Sequence, residues 1–427
     1  MGLQIKVVMG AGYGDEGKGL MTDYFCRELK SCGLKVLNIK TNGGAQAGHT
    51  VCALDKEYKH WVFKQYGSGT FAGADTYMLN TFMLNISELL KERKYLKEIY
   101  KINNKVYIDR RCRVTLPMDV LMNRLIEDKR TNRHGSCGLG IYETFHRNND
   151  LFTIELKDLI NKFISLNIRE FDKWLKNIAE DYYKVRLNEI KYSDNIEINE
   201  EEYRELMSKT LVMNTELIDN IAEIAKIDDI IFCNSLAELI NIEKYSGIVF
   251  ECSQGLELDQ FNKRNWPHLT PSNTGLLNVV NELFSNKHTE NSRLECCFIT
   301  RSYKTKHGAG VFLEEDTNIQ NEFGLYDRTN QPNQYQGILK YGRLNLGRLK
   351  NLIIEQTKYL DKINNLENKE VSLAVTHLDQ TNGLMLTQLG NIHFSDIFEI
   401  MKKVSNKYYL SFGEKATDII KQENNSI

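Results

Sequence analysis

Apolar residues gather along the chain in two patterns. Short β-rich runs at residues 5–9 and 34–39 bracket a stretch with helical spacing near 22–29, which predicts a βαβ opening. Further runs at 230–233, 248–251, 295–300 and 371–376 each end in a polar, glycine-rich or charged segment. Continuous apolar runs of this kind suit strands buried on both faces. They predict an α/β fold with a P-loop-like, mainly parallel central sheet flanked by helices, its functional groups at the carboxyl ends of the strands. From about 151 to 242, Leu, Ile, Glu and Lys recur at helical spacing, so a helical insertion is expected there, with its charge runs as solvated helix faces. The chain has four prolines, no Gly/Ser tract and no internal repeat, and a single domain over 1–427 is expected.

Two turns interrupt this pattern with chemistry. The first run leads into Gly10-Ala11-Gly12-Tyr13-Gly14-Asp15-Glu16-Gly17-Lys18-Gly19, denser in glycine than a connector requires. Glycine lets backbone N–H groups converge on phosphate oxygens, and a following helix N-terminus adds positive potential. Gly12 through Lys18 fits GxxxxGK, but Gly19 stands where a P-loop carries the Ser or Thr that holds magnesium. Asp15 can supply the missing hard oxygen, or act as a base toward a nucleotide. The second run leads into Thr41-Asn42-Gly43-Gly44-Ala45-Gln46-Ala47-Gly48-His49-Thr50. A lone histidine after glycines is usually structural. Beside a loop bearing Asp15 and Lys18, His49 reads instead as one of an acid and base pair facing a phosphoryl group.

Composition narrows the function. The 427 residues are 41% hydrophobic and 26% charged, with a formal charge of −2. Nucleic-acid binding is not expected, because phosphate contacts would demand a basic excess. Nine scattered cysteines form neither CxxC nor a Cys/His zinc spacing and suit reduced thiols. No window approaches the roughly 18 apolar residues of a membrane span, and the N-terminus lacks the regions of a signal peptide. A soluble cytoplasmic protein without membrane contact is expected.

The glycine turns carry a resemblance. Gly14-Asp15-Glu16-Gly17-Lys18-Gly19 is similar to the WGDEGKG signature of the adenylosuccinate synthetase family, with Tyr13 for Trp, and Gly43 to Thr50 resembles its GGxNAGHT segment. Further segments follow in family order. Phe250-Glu251-Cys252-Ser253-Gln254-Gly255 resembles FEGAQG, and His268-Leu269-Thr270-Pro271-Ser272-Asn273-Thr274 resembles FVTSSNT. Tyr303-Lys304-Thr305-Lys306-His307-Gly308-Ala309-Gly310 resembles YxTRVGAG. Thr376-His377-Leu378-Asp379 with Gly383 resembles TKLDxxxG, and Ser411-Phe412-Gly413-Glu414-Lys415 resembles STGPxR.

The resemblance implies GTP-dependent ligation of L-aspartate to the 6-position of IMP. The purine 6-oxygen is first phosphorylated, then displaced by the amine. By position, Asp15 is implied as the base that removes the N1 proton and as a ligand of Mg2+, with the Gly48 carbonyl a second ligand. Lys18 would neutralise phosphate charge, His49 would stabilise or protonate the transferring phosphoryl group, and Gln254 would hydrogen-bond the O6 anion. Gly14, Glu16, Gly17, Gly19, Gln46, Thr270 and Thr305 are implied as nucleotide- or substrate-binding. So are His377, Asp379, Ser411 and Gly413, with Asp379 reading guanine; its alternative is a loop cap.

The sequence also departs from the family. Ser136-Cys137-Gly138-Leu139-Gly140-Ile141 stands for the phosphate-binding threonine pair and GRGIGP, and the thiol of Cys137 donates poorly. Arg147 aligns with the arginine lent across the dimer, which implies a homodimer; its alternative is a surface arginine. Lys306 replaces the arginine that reads aspartate, with Arg301, Lys304 and His307 nearby, and an ammonium cannot make the bidentate fork. GRxRRxGWxD becomes Gln336-Gly337-Ile338-Leu339-Lys340-Tyr341-Gly342-Arg343-Leu344-Asn345, which leaves Lys340. The short stretch from Gly383 to Ser411 resembles the viral branch that makes 2-aminoadenylosuccinate from dGMP. The alternatives are therefore (d)GMP as acceptor or another amino acid. Retention of Asp15 favours IMP.

Overall fold

The computed structural model describes residues 2–54, 60–131, 133–285, 290–330 and 337–423. Gln336 lies outside them. Ten strands form the central sheet: β1 (Gln4–Gly10), β2 (Val36–Lys40), β3 (Asp75–Met78), β4 (Val106–Asp109), β5 (Ile230–Cys233), β6 (Gly247–Gly255), β7 (Arg293–Arg301), β8 (Asn368–Thr376), β9 (Lys407–Ser411) and β10 (Ile419–Glu423). Their order is β10-β9-β8-β7-β1-β6-β2-β3-β4-β5. Every neighbouring pair is parallel except β9 and β10, which run antiparallel at one edge.

Side-chain alternation splits the core between the two faces of this sheet. Ile5, Val7 and Met9 of β1, with Phe250 of β6 and Phe298 of β7, pack on helices Leu276–Ser285 and Leu346–Thr357. Val8, Val249, Cys297 and Ile299 point the other way, onto Met21, Phe25 and Leu29 of α1 (Lys18–Ser31). Neighbouring Cys296 and Cys297 thus lie on opposite faces. Burial pushes both thiols well above their ordinary pKa.

The expected insertion is helical through α2 (Ile168–Ser193) and α3 (Glu200–Ile224), each opened by a reciprocal Asn/Glu capping box. They share a separate apolar cluster that includes Phe171, Tyr182, Tyr183 and Ile221. The insertion is not helical up to 242: Ile230–Cys233 returns to the sheet as its edge strand, because it pairs in register with β4. Among the described residues no helix is long and apolar enough to cross a membrane.

Strand β1 lies between β6 and β7, which come from far along the chain on either side of it. This is the point where an open parallel sheet forms a crevice beyond its carboxyl ends.

Candidate active site

The loop after β1 bends through left-handed residues, Gly14 (φ 105), Asp15 (φ 63) and Gly17 (φ 95), before α1 begins at Lys18. Its amides do not wait for a phosphate. Glu16 folds back so that its Oε1 accepts from the N–H groups of Gly12 (3.0 Å) and Gly14 (2.8 Å), while Lys18 Nζ donates to Oε2 at 2.7 Å. Glu16 and Lys18 are both buried. Burial pushes the Glu16 carboxyl up, but the Lys18 cation and the amide bonds outweigh it, and the net shift is downward. Lys18 was expected to neutralise phosphate charge and Glu16 to bind nucleotide or substrate. In this arrangement Glu16 and Lys18 pair with each other and close the loop on itself.

Close approaches fix the rest. A Cβ on Gly255 would lie 2.1 Å from the Gly12 carbonyl oxygen, and one on Gly19 would lie 2.7 Å from the Thr50 oxygen. The first glycine turn, the His49 strand and the end of β6 therefore touch through bare backbone. Gly255→Ala is expected to destabilise the protein by about 1–3 kcal/mol through overpacking. Urea denaturation of the variant against wild type checks this.

His49 is buried and turned toward β6. Its Nδ1 meets Glu251 Oε1 at 2.5 Å and its Nε2 meets the Ser253 carbonyl at 2.9 Å. Both partners only accept, so the ring satisfies both only as the doubly protonated imidazolium. Burial works against that form, and Glu251 works for it; burial prevails and the pKa lies below its ordinary value. Glu251 is itself fully buried. It also accepts from the Ser68 N–H (3.0 Å) and Oγ (2.5 Å) and lies 3.4 Å from the ammonium of fully buried Lys40. Burial raises its pKa, but Lys40, His49 and Ser68 together hold it well below the usual carboxylate range. Neither Glu251 nor Lys40 stands out in the sequence. The signal is a charged residue at the end of each of two apolar runs, and these prove to be register partners on β6 and β2.

Gln254 sits beside this network. Asn42 Oδ1 accepts from the Ser253 N–H at 2.9 Å, which fixes the Asn42 amide and turns its Nδ2 toward Gln254 Oε1, also at 2.9 Å. The orientation of Gln254 follows: its Nε2 is left buried, a donor without a partner among the described residues. Gln46 Oε1, on the neighbouring turn, is likewise buried and unpartnered.

Other loops converge on the same crevice. Lys306 and Lys340 pair across a short ribbon in which Thr305 faces Tyr341, and Thr305 lines a narrow cleft with Gly12, Tyr13, Gly14 and Glu257. Lys306 Nζ donates to the carbonyls of His307 and Ala309, and burial, with Lys340 adding to it, depresses its pKa to about 8. The Lys340 ammonium lies 3.7 Å from Glu315. A Cβ on Gly135 would lie 3.1 Å from the Ala309 nitrogen, and one on Gly310 would lie 2.5 Å from His268. The loops carrying Ser136 and Cys137, Thr270, and Lys306 therefore abut one another. Ser136 Oγ accepts from Asn123 Nδ2 at 3.0 Å, and burial raises the pKa of the Cys137 thiol.

At the ends of β8 and β9, the Leu378 N–H donates to the Ser411 carbonyl, and Ser411 Oγ to the Gly413 carbonyl. This brings His377, Asp379, Ser411 and Gly413 together. Asp379 is exposed, and its pKa is raised, chiefly by desolvation.

Arg147 does not join them, which corrects its reading as a surface arginine. It is wholly buried, paired through Nε (2.8 Å) and Nη2 (3.0 Å) with Asp119, and Nη2 also donates to the Val114 carbonyl. It anchors helix Pro117–Lys129 to the strand before it.

For a metal, Asp15 offers a part-exposed carboxylate and Gly48 a carbonyl in an exposed turn. Hard oxygens such as these suit Mg2+, which usually takes one or two protein oxygens and completes its shell with phosphate oxygens and water. No group of three or more His, Cys, Asp or Glu side chains gathers as a metal site among the described residues.

A parallel sheet with two glycine turns, the Asp15 carboxylate, the His49 imidazole and unpaired amide groups at its carboxyl ends defines an α/β enzyme of the nucleotide-using class. A family model described as adenylosuccinate synthetase matches residues 7–384. Among curated proteins, the adenylosuccinate synthetase of Borrelia recurrentis is 26% identical over 384 residues, covering 90% of this chain and 78% of its own length. That of Picrophilus torridus is 26% identical over 401 residues, covering 92% and 81%. Two solved structures share the fold. Fully ligated adenylosuccinate synthetase from Plasmodium falciparum aligns with TM-score 0.67 at 16% identity, over 99% of this chain and 100% of its own. The succinoaminodeoxyadenylate synthetase of cyanophage S-2L, bound to dGMP and to dATP as an energy donor, aligns with TM-score 0.61 at 13% identity, over 100% and 97%. The chain belongs to the adenylosuccinate synthetase family, and it is a GTP-dependent ligase.

Proposed function

We propose that the protein joins L-aspartate to the 6-position of IMP through a 6-phosphoryl intermediate, at the expense of GTP. The observation that carries this reading is the Gln254 amide. The Asn42 and Ser253 bonds leave its Nε2 as a buried donor in the crevice, suited to an oxygen that gains negative charge. Asp15 takes the N1 proton of the purine, O6 becomes nucleophilic, and Gln254 steadies it during attack on the γ-phosphoryl group. His49, its Nδ1 held by Glu251, donates a hydrogen bond from Nε2–H to the phosphoryl oxygens once that nitrogen leaves the Ser253 carbonyl. Bound Mg2+ would supply charge neutralisation on the phosphates, held by Asp15 and the Gly48 carbonyl. Asp379, with Ser411 and Gly413 beside it, accepts from the guanine of GTP. Lys306 meets a carboxylate of the amino acid.

A phosphate-release assay with GTP and Mg2+, crossing IMP, dGMP or GMP with aspartate, other amino acids or none, tests this. Release with IMP plus aspartate alone is expected. A preference for dGMP would move the acceptor to the 2-aminopurine branch, and silence in every combination would sink the ligase reading.

The depressed pKa of Lys306 adds a pH dependence. Deprotonation removes the ammonium, so KM for the amino acid should rise as pH passes about 8. In Lys306→Arg, which stays charged, KM should stay level up to about pH 9.5. Initial rates across that range check it.

A further inference from the structure

We propose that Arg301 is a positioning residue for Asp15, locking the glycine loop and the 377–380 loop into one unit. The inference rests on the ligase reading and on the assignment of Asp15 as base. Arg301 is the last residue of β7 and is 2% exposed. Its guanidinium is divided three ways. Nε donates to the Asp15 carbonyl at 2.5 Å, Nη2 to Asp327 Oδ2 at 2.6 Å and Nη1 to Tyr303 Oη at 3.1 Å. The tyrosine hydroxyl donates onward to Gln380 Oε1 at 2.6 Å, and Gln380 Nε2 reaches the Tyr326 carbonyl at 3.3 Å.

Asp15 needs such a hold. Its φ of 63° lies in the left-handed region, where a residue other than glycine stays only if its surroundings fix it. A charged donor on its own carbonyl does this, while its carboxylate faces the crevice. Asp327 makes the far end rigid. Besides Arg301, it accepts from the N–H and Oγ1 of Thr329 and from the N–H and Nδ2 of Asn330, and burial is outweighed by Arg301 so that its carboxyl stays ionised. Thr376 Oγ1, donating to the Glu16 carbonyl at 2.8 Å, ties the start of the 377–380 loop to the same glycine turn. The planar fork is what the geometry uses. A lysine would keep the charge and lose the three directions.

The test measures kcat and KM for each substrate, with thermal melting, in Arg301→Lys, Asp327→Asn and Tyr303→Phe, and single-turnover rates in Asp15→Asn with and without Arg301→Lys. Arg301→Lys is expected to lower kcat by about 10- to 100-fold with every KM within about three-fold, the signature of a misplaced base rather than lost binding. Asp327→Asn and Tyr303→Phe should lower kcat in the same way by less. On the Asp15→Asn background, Arg301→Lys should cost nothing further, because it acts through that side chain. A folded Arg301→Lys enzyme with wild-type kcat, or a loss that adds in full to that of Asp15→Asn, overturns the proposal. If Arg301→Lys does not fold, unchanged kcat in both other variants overturns it. A wild-type protein silent toward every substrate combination would instead mark failure of the ligase reading, and the inference would fall with it.

Discussion

Asp15→Asn is expected to lower the rate of phosphate release with GTP, IMP and aspartate by about 10²- to 10⁴-fold, the usual contribution of a positioned general base. The substitution removes the proton acceptor and, with it, the carboxylate charge that would help hold Mg2+, while it changes little in the fold. Asp15 is part-exposed, its backbone lies at φ 63°, and asparagine adopts that region more readily than most residues. The contact with Arg301 uses the carbonyl, which the substitution retains. Among the described residues the carboxylate's ion-pair partner within 4 Å is the His307 ring, with Nε2 at 3.8 Å, and at that distance an amide leaves no buried charge unpaired. Melting should therefore match wild type within about 0.5 kcal/mol. A variant that keeps its kcat would remove the base from Asp15.

Most of the parallel sheet can be read from the sequence because its strands are buried on both faces, so that β1, β6, β7 and β8 appear as mainly apolar runs. Strands β3 and β4 escape notice because Asp75 and Thr76 in one and Asp109 in the other break their short apolar stretches, whereas the equally short β5 is apolar throughout. Strand β10 escapes because it is an antiparallel edge whose residues are mostly exposed, with only Ile419 and Ile420 apolar. The two glycine turns were legible because their composition has few other uses. What they hold was not. Glu16 and Lys18 are implied as ligand groups by the family resemblance, and the bond between them is visible only in the folded loop. Arg147 could be placed only after Asp119 was known to lie against it. The contacts that orient the site join residues such as Asn42 and Gln254, 212 positions apart, or Arg301 and Asp15, 286 apart, and strand register alone creates them.

Register also determines where the largest stability effect should fall. Glu251 and Lys40 are both 0% exposed and face each other across β6 and β2. Removing one charge of such a pair leaves the other buried without compensation. Glu251→Gln is therefore expected to destabilise the protein by about 3–5 kcal/mol, as breaking one partner of a buried pair does. Its pH dependence follows from the depressed carboxyl. The wild-type contribution is fully present above the ordinary glutamate pKa and is lost as pH falls toward the lower folded-state value, so the gap between wild type and Glu251→Gln should narrow in acid. Adding Lys40→Met should restore part of the loss, since the ammonium is then gone as well. Activity should not return with it, because the imidazole of His49 loses the carboxylate that orients it whichever residue stands at 40. Urea denaturation at several pH values, with kcat beside it, separates the two effects. If Glu251→Gln unfolds at the same urea concentration as wild type, the buried pair is not what holds β2 and β6 together at the site.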